Sequence, residues 1–543
     1  MSSERSDTRS AYWTHRTGGL ISGLLFIFAL CFSAGAAETG DALVTGSIGE
    51  PRNLISILVS DSGSSQVTGL VYSGLVRYDK DLELEGELAR SWEILDEGRT
   101  ILFHLRKDVR WHDGEPFTAE DVLFTYQSLM DPKVPTPHRS DYELVESVEI
   151  VDAHTLRVKY SEPFAPALSS WGMGVLPAHL LKGKDLVKSG ENRNPVGTGP
   201  FRFLNWDTGS RVDLVANEDY FEGRPNINRY VIRIIPDQTT LFLELRTQNV
   251  DEINLTPLQY QRMTDTEFFK ENFRRFRYPA RGYTYMGYQL ENPLFQDVRV
   301  RQALDHAVDK QEIIDGVLFG LGQPCTGPFI PGSWATNAQT IPRPYNPLQA
   351  KSILATCGWT DSDGDGWLDK NGKVFEFTLM TNQGNEQRKL AAEIIQRRLA
   401  EVGVRVKIKI VEWATFVHEF VDKGRFDAVL LGWGLSVDPD NYAIWHSSQI
   451  GEGKYNFVSY HNAEVDELLV KGRTTFDQEA RAACYRRIHE IIHEEQPYMF
   501  LFVGDALPIV HARFQGIEPT IAGIGYNLKD WYVPKSQQRY LRY

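Results

Sequence analysis

One hydrophobic core cannot serve a chain of 543 residues, because single cores stop growing at roughly 250–300 residues and longer chains divide. Two or three lobes are therefore expected before any segment is considered. With 42% apolar and 24% charged residues, those lobes have ordinary globular composition, unlike disordered or multi-span membrane chains. The net charge of -14, with no dense run of Lys and Arg, argues against a nucleic-acid partner, since phosphate binding relies on clustered cations.

The N-terminus has the layout of an export signal. Arg5, Arg9 and Arg16 precede a mostly apolar stretch from Leu20 to Phe32, and the small residues Ala34, Gly35, Ala36 and Ala37 follow before Glu38. A retained anchor needs about 20 apolar residues; this stretch is shorter and is interrupted by glycine. Residues 1–37 are accordingly a signal peptide cleaved near Ala36 or Ala37. Lipid attachment at Cys31 is the alternative, but Leu30 stands where the attachment motif wants Gly, Ala or Ser. After processing, Cys325, Cys357 and Cys484 remain, enough for one disulfide with a thiol left over, and none has CxxC spacing. Buried free cysteine is the ordinary expectation for each.

Periodicity organises the rest. Residues 41–57 are short and β-like, and 66–78 has helical spacing at Val67, Leu70, Val71 and Leu75. Ile101, Phe103 and Leu105 alternate as in a half-buried strand. A helix is predicted over 117–130, with Thr118 and Asp121 placed as a capping box and Pro132 as its stop. Strands at 147–150 and 155–158 flank the turn residues Asp152, Ala153 and His154. After the glycines of 197–201, strands follow at 203–206 and 212–216. Residues 297–318 are helical, and a helix over 390–401 leads into a strand over 404–411, a β/α alternation.

Several segments resemble one family, the peptide, opine and nickel class (family 5) of extracytoplasmic solute-binding proteins of ABC importers. The densest match is Leu88-Ala89-Arg90-Ser91-Trp92-Glu93, then Phe103-His104-Leu105-Arg106-Lys107-Asp108-Val109-Arg110-Trp111-His112-Asp113-Gly114, then Phe117-Thr118-Ala119-Glu120-Asp121-Val122. Gly197-Thr198-Gly199-Pro200-Phe201, the stretch 295–304, Gly432-Trp433 and Asp438-Pro439-Asp440 follow in family order. The resemblance implies an α/β, two-lobed clamp with an extra small lobe, a ligand cleft between the main lobes, and hinge closure of the kind described for periplasmic binding proteins. It implies a periplasmic monomer without cofactor that takes a short peptide or other small solute and meets the membrane permease of an ABC importer. The expected division is 38–80 with 195–285 and 495–543 as lobe I, 81–194 as the small lobe, and 286–494 as lobe II.

By the same resemblance, Trp413 and Trp433 match positions that line side-chain pockets in peptide-binding relatives, where a rigid indole offers broad apolar contact; core packing is the plain alternative. Many such relatives carry, three residues after the second tryptophan, an Asp that pairs with the peptide amino group. Here that position is Ser436, so Asp438 or another acid substitutes, or the ligand lacks the amine, because a buried ammonium without a carboxylate is costly. Ser62 and Gly63, within the loop from Ser60, match a segment whose backbone meets ligand, although a surface turn explains them equally. Tyr72, Arg299 and Arg301 are weaker candidates, the arginines being more often structural.

Two motifs point elsewhere. His489-Glu490-Ile491-Ile492-His493 spells HExxH, which on a helix places two histidines on one face for zinc with a glutamate as base. A core stripe of Ile488, Ile491 and Ile492 and the lack of a third ligand beyond Glu518 count against a peptidase. Asp361, Asp363, Asp365 and Asp369 have the alternating oxygens of a calcium loop, but its twelfth position is Gly372 rather than Glu, and a glycine-rich hairpin turn accounts for the segment. No GxSxG, P-loop or dinucleotide fingerprint occurs in the right context. Three functions remain on the sequence alone: a peptide receptor, a receptor for a non-peptide solute such as an opine, oligosaccharide or metal chelate, and a secreted zinc peptidase.

Overall fold

The computed structural model describes residues 38–540; the expected signal peptide, residues 1–37, and Cys31 lie outside the described residues. Two large mixed sheets organise the chain. The first runs, in spatial order, Phe273–Arg275, Pro508–His511, Glu252–Asn254, Gly40–Ser47, Ile227–Ile234, Arg211–Ala216 and Phe201–Asp207. Gly40–Ser47 lies parallel to Ile227–Ile234, with Ala42 beside Arg229 and Ser47 beside Ile234. Both faces are covered, so the central strands are apolar at consecutive positions. Leu43 and Ile232 enter one core, while Val44 and Val231 pack with Leu241, Phe242 and Leu245 of the helix Gln238–Arg246 in another.

The small lobe is a four-stranded antiparallel sheet, Ala89–Leu95, Thr100–Leu105, Thr155–Tyr160 and Val145–Asp152. Ile101, Phe103, Leu156 and Val158 are fully buried in a core shared with the first large sheet. The capping box forms: the Thr118 side chain caps the helix Ala119–Met130 while Asp121 Oδ2 accepts from the Thr118 N–H at 2.9 Å. The hairpin turn forms as well, closed by Asp152 Oδ1 accepting from the His154 N–H at 2.8 Å.

The second large sheet runs Tyr278–Pro279, Tyr498–Ala506, Gly282–Tyr288, Ala428–Gly434, Glu376–Asn382 and Arg405–Val411, with Gly322–Pro324 added to Tyr498–Ala506. Its last three strands are parallel, and the helix Glu386–Glu401 connects two of them as a crossover. This helix starts ahead of the expected position because Asn385 caps it, accepting from the Arg388 N–H at 2.9 Å. The helix expected over 66–78 instead runs Ser62–Val71, and Val76–Tyr78 is a strand; the helix's first turn is polar and invisible to apolar spacing, and Asp61 holds it by accepting from the Ser64 N–H at 2.9 Å. The helical stretch 297–318 is two helices, Val298–Ala307 and Lys310–Gly316, the second capped by Asp309. Cys325, Cys357 and Cys484 are buried free thiols.

The chain passes between the large sheets twice, after Phe273–Arg275 and at Leu507, and the two passages run antiparallel side by side. Phe276 N–H donates to the Pro508 carbonyl at 2.9 Å, and Tyr278 pairs with Ala506. Tyr498–Ala506, and the first residues of Gly282–Tyr288, therefore stand in the second sheet, whereas the expected boundaries put them with the first lobe. Their partners, Gly434 for Gly282 and Phe500 for Tyr285, are too distant in sequence for local patterning to reveal.

The C-terminal segment is tied to the first strand by a buried ion cluster. Arg513, whose side chain is 2% exposed, pairs with Asp41 at 3.0 Å and with both oxygens of Asp251, and donates to the Ala42 carbonyl at 3.0 Å. Asp41 and Asp251 also accept backbone N–H groups of Tyr540 and Val44. Arg513→Ala strands two carboxylates without their cation and is expected to cost about 3–5 kcal/mol in urea unfolding at neutral pH; a loss under about 1 kcal/mol contradicts that role for the cluster.

Candidate ligand-binding cleft

Between the two sheets lies a cleft of about 1660 Å³ lined by strand residues of the second sheet, by residues of the segments 56–80 and 525–530, and by the small lobe. The parallel strands Glu376–Asn382 and Ala428–Gly434 run toward it, so their carboxyl ends open at the position where open α/β sheets bind ligands. Its volume exceeds the roughly 300–1,000 Å³ of ordinary small-molecule sites.

Trp433 ends the strand Ala428–Gly434, paired with Tyr283. Its indole N–H donates to Tyr498 Oη at 3.3 Å, one face stacks on Phe457 at 5.7 Å, and Tyr455 meets it edge-on at 5.2 Å. The ring is thus fixed from behind and forms a rigid wall of the cleft. Trp413 follows Glu412, which caps the next short helix. It lines the opposite approach, against Gly49 of the first lobe; its indole N–H has no partner among the described residues. Tyr72 also lines the cleft, 5% exposed, with an unpartnered hydroxyl whose pKa burial raises well beyond the usual phenol range.

Ser62 and Ser436 reach the cleft, whereas Gly63 and Asp438 do not line it. Gly63 stands behind the wall: a Cβ there would come within 3.0 Å of the Gly49 carbonyl, so glycine permits the close approach of two backbones. Ser436 is exposed, its hydroxyl donating to the Asp438 carbonyl at 2.5 Å. The Asp438 carboxylate is engaged by Arg481 at 2.8 and 3.0 Å, which leaves it no free charge for a ligand ammonium. Arg299 pairs on the surface with Asp297, and Arg301 is buried donating to the carbonyls of Phe295, Glu495 and Gln496. Both are structural.

Among the charged residues of the cleft that the sequence did not single out are Asp141 and Arg388. Asp141, from the small lobe, lies 3.7 Å from Arg473, a cation already paired with Asp440 at 2.7 Å. Burial, with the like charge of Asp440, pushes the Asp141 carboxyl up to about 7 despite Arg473. Arg388 enters from the first turn of the helix Glu386–Glu401. A cation in a helical first turn opposes the helix dipole, and that was the one signal in the sequence able to mark it.

The HExxH residues are occupied by the fold. His489 Nδ1 accepts from the Asn337 N–H at 3.0 Å, its Nε2 lies 3.0 Å from the Thr326 hydroxyl, and His493 Nδ1 donates to the Thr326 carbonyl at 2.9 Å. Glu490 is held by Asn337 and Arg487. Burial, reinforced by His493, lowers the His489 pKa to about 4. Asp361, Asp363 and Asp365 gather on the surface, and their carboxylates accept N–H groups of Gly364, Gly366, Asp365 and Trp367. Asp369 accepts both the N–H and the hydroxyl of Ser362. The loop is closed by its own hydrogen bonds.

Residues 83–454 match the family model described as bacterial extracellular solute-binding proteins, family 5 middle. The oligopeptide-binding protein AppA of Bacillus subtilis is 36% identical over 93% of this chain and 93% of its own. Its solved structure in complex with a nonapeptide has a TM-score of 0.88 at 34% identity, covering 92% of this chain and all of that one. NikZ of Campylobacter jejuni, solved in complex with Ni(L-His), is 30% identical with a TM-score of 0.83, over 91% and 99% of the two chains. An ABC transporter-associated periplasmic binding protein, DppA of Helicobacter pylori, solved with the peptide STSA, gives 26% and 0.83 over 92% and 99%. No helix among the described residues is long and apolar enough to cross a membrane. The two-sheet architecture, the cleft at the strand ends and these matches agree: the chain belongs to family 5 of the bacterial extracellular solute-binding proteins.

Proposed function

We propose that this chain captures short peptides in the periplasm and delivers them to the membrane subunits of an ABC importer, with residues 1–37 acting as its export leader. The observation that carries this is the large cleft walled by fixed aromatic rings, in a chain 36% identical over most of its length to an oligopeptide-binding protein. A peptide suits such a cleft, since its main chain offers repeating donors and acceptors whatever its side chains are. Trp433 and Trp413 supply apolar walls, and Ser62, Tyr72 and Ser436 supply polar contacts. Closing the lobes removes the ligand from water, where charge pairs strengthen, and tighter binding to the closed form drives the closure.

Asp141, rather than Asp438, meets the peptide amine. Its carboxyl borders the cleft with a raised pKa, as do those of Glu87 and Asp422, while Asp438 belongs to Arg481. A second reading, a non-peptide chelate or acid, is favoured by Ser436 at the position where an amine-pairing acid was expected. A zinc peptidase gains no support, since both ring nitrogens of His489 already have partners.

Calorimetry of the ligand-stripped chain with peptide mixtures tests the first reading: saturable binding is expected, and Trp433→Ala should weaken it by about 30-fold. No heat with any peptide sinks it. Because a bound ammonium favours the ionised carboxyl, the complex holds fewer protons than free protein below about pH 7. Peptide affinity should therefore rise with pH up to about 7 and level off above it, and Asp141→Asn should abolish that slope; a slope that persists in the variant rules out this partner.

His489 gives a separate test. The unfolded chain binds its proton as pH falls below 6.5, but the folded chain does not until about 4. His489 thus lowers stability progressively across that window and has no effect above it. His489→Gln should shrink the acid loss of stability, while a chelator should leave the unfolding midpoint unchanged. A midpoint that falls on chelation would revive the metal reading.

A further inference from the structure

Beside the hairpin of strands Val76–Tyr78 and Leu84–Gly86, the cleft wall carries an ion cluster that does not balance. Arg77 donates from Nη1 and Nη2 to Glu222 at 2.6 and 3.0 Å, and from Nε to Glu85 at 2.8 Å. Two carboxylates thus share the one guanidinium. Arg106 lies 3.7 Å from Glu222, but its Nε donates to the Glu87 carbonyl at 2.7 Å. Glu87 is the third carboxylate of the group. Its Oε2 accepts from the Gly74 N–H at 2.9 Å, and it forms no ion pair among the described residues. Burial pushes its carboxyl up to about 7, although the nearby Arg77 and the Gly74 N–H pull it down.

Other cleft carboxyls that burial raises already have a cation at hand: Asp422 accepts from Arg52 at 3.0 Å, and Asp141 lies 3.7 Å from Arg473. Glu87 faces the cleft without one, and the backbone holds it there. A Cβ at Gly74 would come within 2.4 Å of the Gly172 carbonyl, so glycine permits the close approach that leaves the Gly74 N–H for Glu87. Tyr78 and Leu84 of the hairpin line the same cleft, as does Tyr220, whose hydroxyl burial and then the charge of Glu87 raise. A desolvated carboxylate without its cation is costly, and a cation arriving here removes that cost. A lysine or arginine side chain brings its charge on an apolar stem, which suits a carboxylate set among Tyr78, Leu84 and Tyr220. A bare ammonium at a peptide terminus has no such stem.

We propose that Glu87 anchors a side pocket of the cleft that takes a lysine or arginine side chain of the bound peptide, with the stem of that side chain along Tyr78 and Leu84. The inference rests on the peptide reading above for the ligand's backbone, and on the ion cluster for its charge. Glu87 thereby makes one position of the ligand selective for a cation.

The test measures binding of short alanine-based peptides that carry lysine, norleucine or glutamate at each position in turn, to wild type and to Glu87→Gln. At one position lysine should bind wild type about tenfold to a hundredfold more tightly than norleucine, and glutamate should bind more weakly than either. Norleucine keeps the stem and both peptide termini, so the difference reads the side-chain charge alone. Glu87→Gln retains an acceptor for the Gly74 N–H; it should lose the lysine preference while binding the norleucine peptide nearly as wild type does. Its ligand-free unfolding midpoint should equal or exceed that of wild type, since an uncompensated charge has been removed. Equal wild-type affinity for lysine and norleucine at every position overturns the proposal, as does a lysine preference that persists in Glu87→Gln, or an equal loss of both peptides with a lowered midpoint. If wild type binds no peptide, the peptide reading falls. Glu87 is then judged on the solute released from the purified protein, which should carry a cationic group and rebind Glu87→Gln at least about tenfold more weakly than wild type; a solute without such a group, or equal rebinding, overturns the proposal.

Discussion

Among the described residues, two antiparallel chain passages join the large sheets, and the cleft opens beside them. At Leu507 a single residue separates a strand of one sheet from a strand of the other, and beside it residues 276–277 make the return passage. Pro279 and Pro508 lack an N–H, so the hydrogen-bond ladder thins where the sheets part. A junction of this kind concentrates any change of φ and ψ in a few residues, which is how hinged lobes move as bodies. Each lobe keeps its own cores on both faces of its sheet, so opening the cleft leaves them intact.

The cleft is also where the fold leaves polar groups without full partners. The Tyr72 hydroxyl, the Trp413 indole N–H, the Asp141 carboxyl and the Arg388 guanidinium all border the same space. Elsewhere buried charges are matched with care, as in the cluster of Arg513, Asp41 and Asp251. Proteins depart from full satisfaction at functional sites and compensate in the surrounding structure. Aromatic walls fixed from behind by Tyr498, Phe457 and Tyr455 provide contact whose shape does not depend on the ligand. Charged groups of both signs border the same space. Together they suit a ligand of variable side chains and constant termini.

Local structure was legible in the sequence wherever its cause is local. The capping box of Thr118 and Asp121, the turn at Asp152 and the β/α alternation near residues 390–411 depend on spacing alone, and each formed. The helix Ser62–Val71 was half hidden because its first turn is polar. What escaped depends on distant partners. The place of Tyr498–Ala506 in the second sheet needs Gly282–Tyr288, the neutralisation of Asp438 needs Arg481, and the structural role of the HExxH histidines needs Thr326 and Asn337. Trp433 and Ser436 were found at the cleft because a family motif marked them. Arg388 carried no such mark and stands out only once its lack of a carboxylate partner is seen.

The account's central claim, a cleft that closes on a peptide, is tested most directly by mass spectrometry of the solute released when the purified mature protein is denatured. A closed clamp retains its cargo through purification, so a ladder of short peptides with free termini is the predicted result. A single non-peptide mass, recovered in amounts matching the protein, would contradict it.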